Sequence, residues 1–198
     1  MIIFITGTPG TGKTTVSQLL KDQLPSRLVD INQLVEIEEL YTGLDEERGY
    51  KVVDINALCS VLHEIILKEN ANIKEREDLN IEGIEQVKSL YLVVEGHLSH
   101  LCAGADVVIV LRTHPHVLKD RLAAKGFKEA KIRENVEAEA LDVCAFEAYQ
   151  EYKDRAHEID TTSKKPQEIV NIIKEVITGE KSYPVGEVDF SDTLLNIS

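Results

Sequence analysis

The chain opens on Ile2-Ile3-Phe4-Ile5-Thr6, a β-branched and aromatic run that predicts a strand buried on both faces. Apolar residues then recur at helical spacing at Val16, Leu19, Leu20 and Leu24. Arg27-Leu28-Val29-Asp30 predicts a short second strand, and residues 31–40 read as helix. Residues 41–50 form a polar, glycine-containing connection. Asp54 suits an N-cap for a helix with Ile55, Leu58, Val61, Leu62, Ile65 and Ile66 on one face, and His63 beside that face reads as packed. Residues 68–88 are densely charged, as in a solvated helix end or an exposed insertion. Further strands are predicted at Leu90–Val94, Asp106–Arg112 and Ala156–Asp160. Helices follow from Pro115 through Leu122, over about 129–155, and from Pro166 through Ile177. Repeated strand–helix units predict an α/β fold with a doubly wound parallel sheet.

Between the first strand and the first helix lies Gly7-Thr8-Pro9-Gly10-Thr11-Gly12-Lys13-Thr14, with Thr15 next. This matches the phosphate-loop pattern G-x-x-x-x-G-K-[ST] in the strand–loop–helix setting that it requires. Gly7, Gly10 and Gly12 free the backbone to aim N–H groups at phosphate oxygens, at the positive end of the helix. Gly7, Gly10, Thr11, Gly12, Lys13, Thr14 and Thr15 are therefore the expected ATP-binding positions. Lys13 would reach the β- and γ-phosphates, and the Thr14 hydroxyl would ligate Mg²⁺.

Other candidates stand at predicted carboxyl ends of strands. Asp30 reads equally as a contact to the acceptor substrate or its metal and as an N-cap. Glu95 follows the apolar run 90–94, where an acidic residue orients Mg²⁺ in phosphate-loop enzymes. His97 stands near enough to position a water, relay a proton or fix a lid; His97 with His100 makes a poor metal pair without further ligands. Arg121 and Lys125, four apart on one helical face, suit a transferring phosphoryl group, or else form a solvated pair flanking Asp120. The loop before Pro166, which includes Lys165, would border the nucleotide base.

Composition narrows the setting. The 198 residues suffice for one domain, and 43% are hydrophobic, as in a soluble globular protein. No apolar run reaches the length of a membrane helix, and the immediate core strand leaves no room for a signal peptide, so a cytoplasmic location is expected. Cys59, Cys102 and Cys144 lack C-x-x-C spacing and read as reduced, packed thiols, which implies an intracellular compartment. A formal charge of −13 disfavours direct nucleic-acid binding and favours a basic partner.

The ordered set of motifs resembles the atypical adenylate kinases related to the coilin-interacting nuclear ATPase, with yeast and archaeal ribosome-maturation relatives. It is carried by residues 6–15, Glu38-Glu39-Leu40-Tyr41 with Gly43 and Asp45-Glu46-Glu47, and Val94-Glu95-Gly96-His97. Val110-Leu111-Arg112-Thr113, Arg121-Leu122, Lys125-Gly126-Phe127 and Glu134-Asn135 complete it. The resemblance implies a domain over residues 1–178, with an AMP-side segment at 30–54 that includes Asp30 and Leu34. It also implies an ATP-side lid at 124–134 and a separate tail at 179–198. The implied activity is transfer from ATP to AMP or another nucleoside monophosphate, with ATP hydrolysis. The implied role is in maturation of small-subunit rRNA beside a basic ribosomal protein, in the nucleus if the source is eukaryotic. Glu95 stands where the family often has Asp, and Lys125 where it has a lid arginine. Rival readings are an ATP-driven switch for a basic partner and a kinase for a non-nucleotide acceptor.

Overall fold

The computed structural model describes residues 1–45, 50–78 and 91–196. Five parallel strands make the central sheet: β1 (Ile2–Thr6), β2 (Ser26–Asp30), β5 (Tyr91–Glu95), β6 (Val107–Arg112) and β7 (Ala156–Asp160), in the order β2-β5-β1-β6-β7. Because side chains alternate along a strand, each contributes to two cores. Ile2 and Phe4 of β1, with Val108 and Val110 of β6, meet helices α3 (Ile55–Asp78) and α6 (Val143–Tyr152). Ile3, Ile5, Ile109 and Leu111 meet α1 (Lys13–Gln23) and α7 (Pro166–Ile177) on the other face. Helices α4 (Pro115–Ala124) and α5 (Glu129–Ala140) join through a smaller cluster of Leu118, Leu122, Ile132 and Val136. Among the described residues the sheet is wholly parallel, so all five strands end on one edge and bring their last residues together.

Five expectations change. The polar connection after α2 (Ile31–Ile37) is an antiparallel pair, β3 (Tyr41–Asp45) with β4 (Tyr50–Val53), separate from the main sheet. Tyr41, Thr42, Val52 and Val53 have the β-branched and aromatic character that stabilises such pairing, which the glycine and acidic residues obscured. The charged stretch is in part a continuation of α3, where Glu69 is buried and paired with Arg27 at 3.2 Å; residues 79–88 lie outside the described residues. His63, expected to be packed, is exposed on that helix.

The helix expected over 129–155 is two helices and a short 3-10 turn. Asp142 takes a left-handed conformation at φ 56°, and Arg112 holds the break by donating to the Glu139 carbonyl at 3.0 Å and to the Asp142 carboxylate. That partner lies 30 residues away in sequence, which helical periodicity does not register.

The cysteine expectation is overturned for two of three. Cys59 on α3 is bonded to Cys102, with Cα atoms 4.9 Å apart, and Cys144 is the free thiol. The thiol argument for an intracellular compartment therefore falls. Among the described residues no helix is long and apolar enough to cross a membrane.

The tail packs on the body. Residues beyond α7 run beside β7, with the Glu158 N–H donating to the Tyr183 carbonyl at 2.8 Å and His157 bridging to Pro184. This covers the sheet edge that β7 would otherwise expose.

The closed loop between Cys59 and Cys102 spans 43 residues, for which loop entropy gives roughly 4 kcal/mol of stabilisation. Thiol titration of the denatured, unreduced protein should therefore find one reactive cysteine, and prior reduction should lower the melting temperature. Three titratable thiols without reductant would refute the bond.

Candidate active site

Gly7 follows β1 at φ +130°, and a Cβ there would stand 2.3 Å from the Leu111 carbonyl oxygen of β6. Only glycine lets the loop turn so closely against the neighbouring strand. Gly10, at φ +97°, lies beneath α4: a Cβ would meet Leu118 at 2.8 Å and Leu122 at 3.0 Å. Gly12 is the N-cap of α1 and also has a left-handed backbone. The loop thus wraps the positive end of an 11-residue helix, the arrangement that receives phosphate.

Lys13 is 8% exposed, and its ammonium donates to the carbonyls of Gly7 at 2.8 Å and Thr8 at 3.1 Å. Burial lowers its pKa, while the nearby Glu95 and Glu139 carboxylates favour its charge. Thr11 is buried and its hydroxyl donates to the Thr8 carbonyl at 3.0 Å, closing the loop on itself. Thr14 and Thr15 are exposed at the start of the helix.

Glu95 ends β5, between β1 and β2, and is 2% exposed. Its Oε1 accepts from the Thr14 hydroxyl at 2.9 Å, whereas Oε2 is buried without a hydrogen-bond partner. An unmatched buried carboxylate oxygen is costly unless a cation or donor meets it. Burial accordingly pushes the Glu95 carboxyl up, against the stabilising pull of Thr14 and Lys13. The Thr14 hydroxyl and the Glu95 carboxylate, with its orphan oxygen, are the kind of hard oxygen ligand that Mg²⁺ prefers, so these residues fit that ion.

Asp30 is the register neighbour of Glu95, and its Oδ1 caps α2 by accepting from Asn32 N at 2.8 Å and Gln33 N at 3.2 Å. Leu34, one helical turn on, packs against the core.

His97 follows Glu95 by two residues. Burial, reinforced by the positive charges of Lys13 and Lys131, lowers its pKa to about 4, so the ring is neutral near pH 7. His100 is not paired with it for metal binding. Its Nδ1 lies 2.6 Å from the Thr6 hydroxyl and its Nε2 3.0 Å from Glu147. Among the described residues no group of three His, Cys, Asp or Glu is gathered as a metal site.

Arg121 reaches the end of the sheet, donating to the Thr113 hydroxyl at 3.3 Å and the Thr161 carbonyl at 3.4 Å. The Thr161 hydroxyl in turn lies 3.2 Å from the Thr11 carbonyl, so Arg121 stands one residue removed from the phosphate loop. Lys125 is the exposed C-cap of α4, and its charge is felt at Lys13. Lys165 is exposed at the N-cap of α7, where its N–H donates to Glu168 at 2.7 Å. Loop, Glu95, His97 and Arg121 gather where the strands end; Lys165 begins α7, and Leu34 lies on α2.

Two polar groups in the site escaped the pattern reading. Glu139 contacts Thr8 of the phosphate loop, and Arg112 joins Glu139 to Glu158. An arginine closing the apolar run 107–111 was the available signal, because such a residue at a sheet edge must find carboxylates.

Strand order, loop and paired Thr14–Glu95 together define a phosphate-loop NTPase domain. The AAA domain family model matches residues 3–142. A Methanothermobacter thermautotrophicus protein, provisionally named as an adenylate kinase, is 42% identical over 98% of this chain and 99% of its own. A Methanocaldococcus jannaschii protein of the same provisional name is 38% identical over 97% of this chain and 94% of its own. Shikimate kinase from Bacteroides thetaiotaomicron superposes with a TM-score of 0.57 at 18% identity, covering 90% of this chain and 98% of that one, a likeness of fold alone. The chain belongs to this AAA domain family and, within it, to an adenylate-kinase-like nucleotide kinase family.

The depressed His97 pKa has a direct check. An unfolded histidine protonates near pH 6.5 and the folded ring near 4, so stability falls as pH drops through that window. The His97 ring resonances should hold steady from pH 8 to pH 5.5; a midpoint near 6.5 would contradict the buried, cation-flanked setting.

Proposed function

We propose that the protein is a magnesium- and ATP-dependent adenylate kinase that converts ATP and AMP to two ADP, with ATP hydrolysis as a second activity. The observation carrying this reading is the Thr14–Glu95 contact, with its unmatched carboxylate oxygen, beside the buried Lys13. In the forward reaction an AMP phosphate oxygen forms a bond to the γ-phosphorus as the bond to the β-bridging oxygen breaks. Lys13 exchanges loop carbonyls for phosphate oxygens, a charge-assisted contact to a better acceptor. Thr14 and Glu95 would hold Mg²⁺, which would supply charge neutralisation for the polyphosphate.

Arg121 and Lys125 would stabilise the negative charge of the transferred group. Asp30, Leu34 and the β3–β4 pair supply the acceptor side. Thr11, Thr15 and the loop containing Lys165 complete the ATP side. A neutral His97 can accept a hydrogen bond from water and so orient it in the hydrolytic mode. Two relatives that carry the adenylate kinase name along nearly their whole lengths support AMP as acceptor. Action in small-subunit rRNA maturation, beside a basic ribosomal protein, is supported by the family resemblance and by the charge of −13.

Incubating γ-labelled ATP with each nucleoside monophosphate in turn should move label into ADP with AMP. Hydrolysis without any phosphorylated monophosphate would favour an ATP-driven switch, and turnover of a non-nucleotide acceptor would replace the assignment. Glu95→Gln should lower the Mg²⁺-dependent rate by about 100-fold while leaving the melting temperature near that of the parent. Unchanged turnover would reduce Glu95 to a partner of Thr14.

A further inference from the structure

A carboxylate is an unexpected neighbour for a loop that binds anions. Glu139, 1% exposed on the last turn of α5, nevertheless accepts a hydrogen bond from the Thr8 hydroxyl through Oε2. Its Oε1 accepts from Arg112 Nε and from the Thr113 N–H, both at 2.9 Å. Every oxygen of this carboxylate is therefore engaged, and its charge is met by a guanidinium that is itself 1% exposed. Arg112 continues to Glu158 at 3.0 Å.

The other Glu158 oxygen accepts from the backbone N–H groups of Gly186 at 2.9 Å and Val188 at 2.6 Å, both in the C-terminal strap. Phe190 of the same strap lies over Arg112, with its ring centre 5.3 Å from the guanidinium carbon. On the loop side, the Thr8 carbonyl receives the Lys13 ammonium and the Thr11 hydroxyl. A continuous chain of hydrogen bonds thus runs from the strap to the lysine of the phosphate loop.

We propose that Glu139 is a positioning residue for the phosphate loop: anchored by Arg112 and steadied from the C-terminal strap through Glu158, it fixes Thr8 and so the loop carbonyls around Lys13. A carboxylate this close opposes phosphate by its charge, which Arg112, shared with Asp142 and Glu158, offsets in part while leaving the hydrogen bond. The same charge favours the Lys13 ammonium, so Glu139 gives the loop its geometry and its lysine a counter-charge. Helix α5, which leads away from the α4–α5 turn, is thereby fastened to the loop by one side chain.

The inference rests on reading the loop as an ATP site, and calorimetric titration of the full chain with Mg-ATP separates the two. Thr8→Val and Glu139→Ala should each weaken ATP binding by about tenfold. The double variant should bind no worse than the weaker-binding single one, because each change already breaks the Thr8–Glu139 contact. Glu139→Gln keeps an acceptor for Arg112 and Thr113 and an amide facing Thr8, and should restore affinity to within about threefold of the parent. With AMP present, the KM for ATP should rise with the same ordering.

Additive losses in the double variant, or parent-like affinity in folded Glu139→Ala, would overturn the positioning role. If Glu139→Ala does not fold, Thr8→Val decides, and undiminished affinity there refutes the proposal. No binding by the parent chain would refute the ATP site and this inference together; binding without transfer to AMP would refute only the adenylate kinase reading.

Discussion

Taking a guanidinium out of water costs several kcal/mol unless its donors are met by well-placed acceptors. Arg112 is the largest wholly buried side chain described, and three carboxylates, from Glu139, Asp142 and Glu158, surround it. Burial alone would loosen its proton, but the carboxylates of Glu139 and Asp142 outweigh that and hold its pKa above the ordinary value. The three acids come from α5, from the turn between α5 and α6, and from β7, so one residue at the end of β6 sets where three later segments meet. Removing the guanidinium would leave buried acids uncompensated, a larger loss than the removal of any single acid.

The sheet imposes the second constraint. Parallel strands buried on both faces must send their connections over the top and bottom, and the polar groups collect where the strands end. Glu95 and Asp30 end adjacent strands in register, which puts two carboxyl groups side by side. Their mutual repulsion adds to the burial that raises the Glu95 pKa, while Thr14 and Lys13 offset it. The same neighbours make Glu95 receptive to a cation and Lys13 receptive to an anion, and an NTP with its metal brings one of each.

Much of this was legible in the chain. The runs at 2–6 and 107–112 are dominated by β-branched residues, and the loop motif sits between a strand and a helix as phosphate binding requires. What escaped reading depended on partners remote in sequence. The break at Asp142 is held by Arg112, the disulfide joins Cys59 to a cysteine 43 residues on, and Glu139 meets Thr8 across 131 residues. Periodicity reports which face of an element is apolar; it does not report which buried charge another element will bring to it. The pairing of β3 with β4 was missed for a different reason, since an acidic, glycine-bearing stretch conceals alternating strand residues.

The α4–α5 pair has an apolar core of its own, built from Leu118, Leu122, Ile132 and Val136 and distinct from the two that flank the sheet. Leu118 and Leu122 also rest on the bare backbone of Gly10, so the same side chains that join the two helices roof the phosphate loop. Glu139, on the second helix of the pair, meets the loop again at Thr8. The small core and the nucleotide cradle therefore share a wall, and a change in the packing of one is felt by the other.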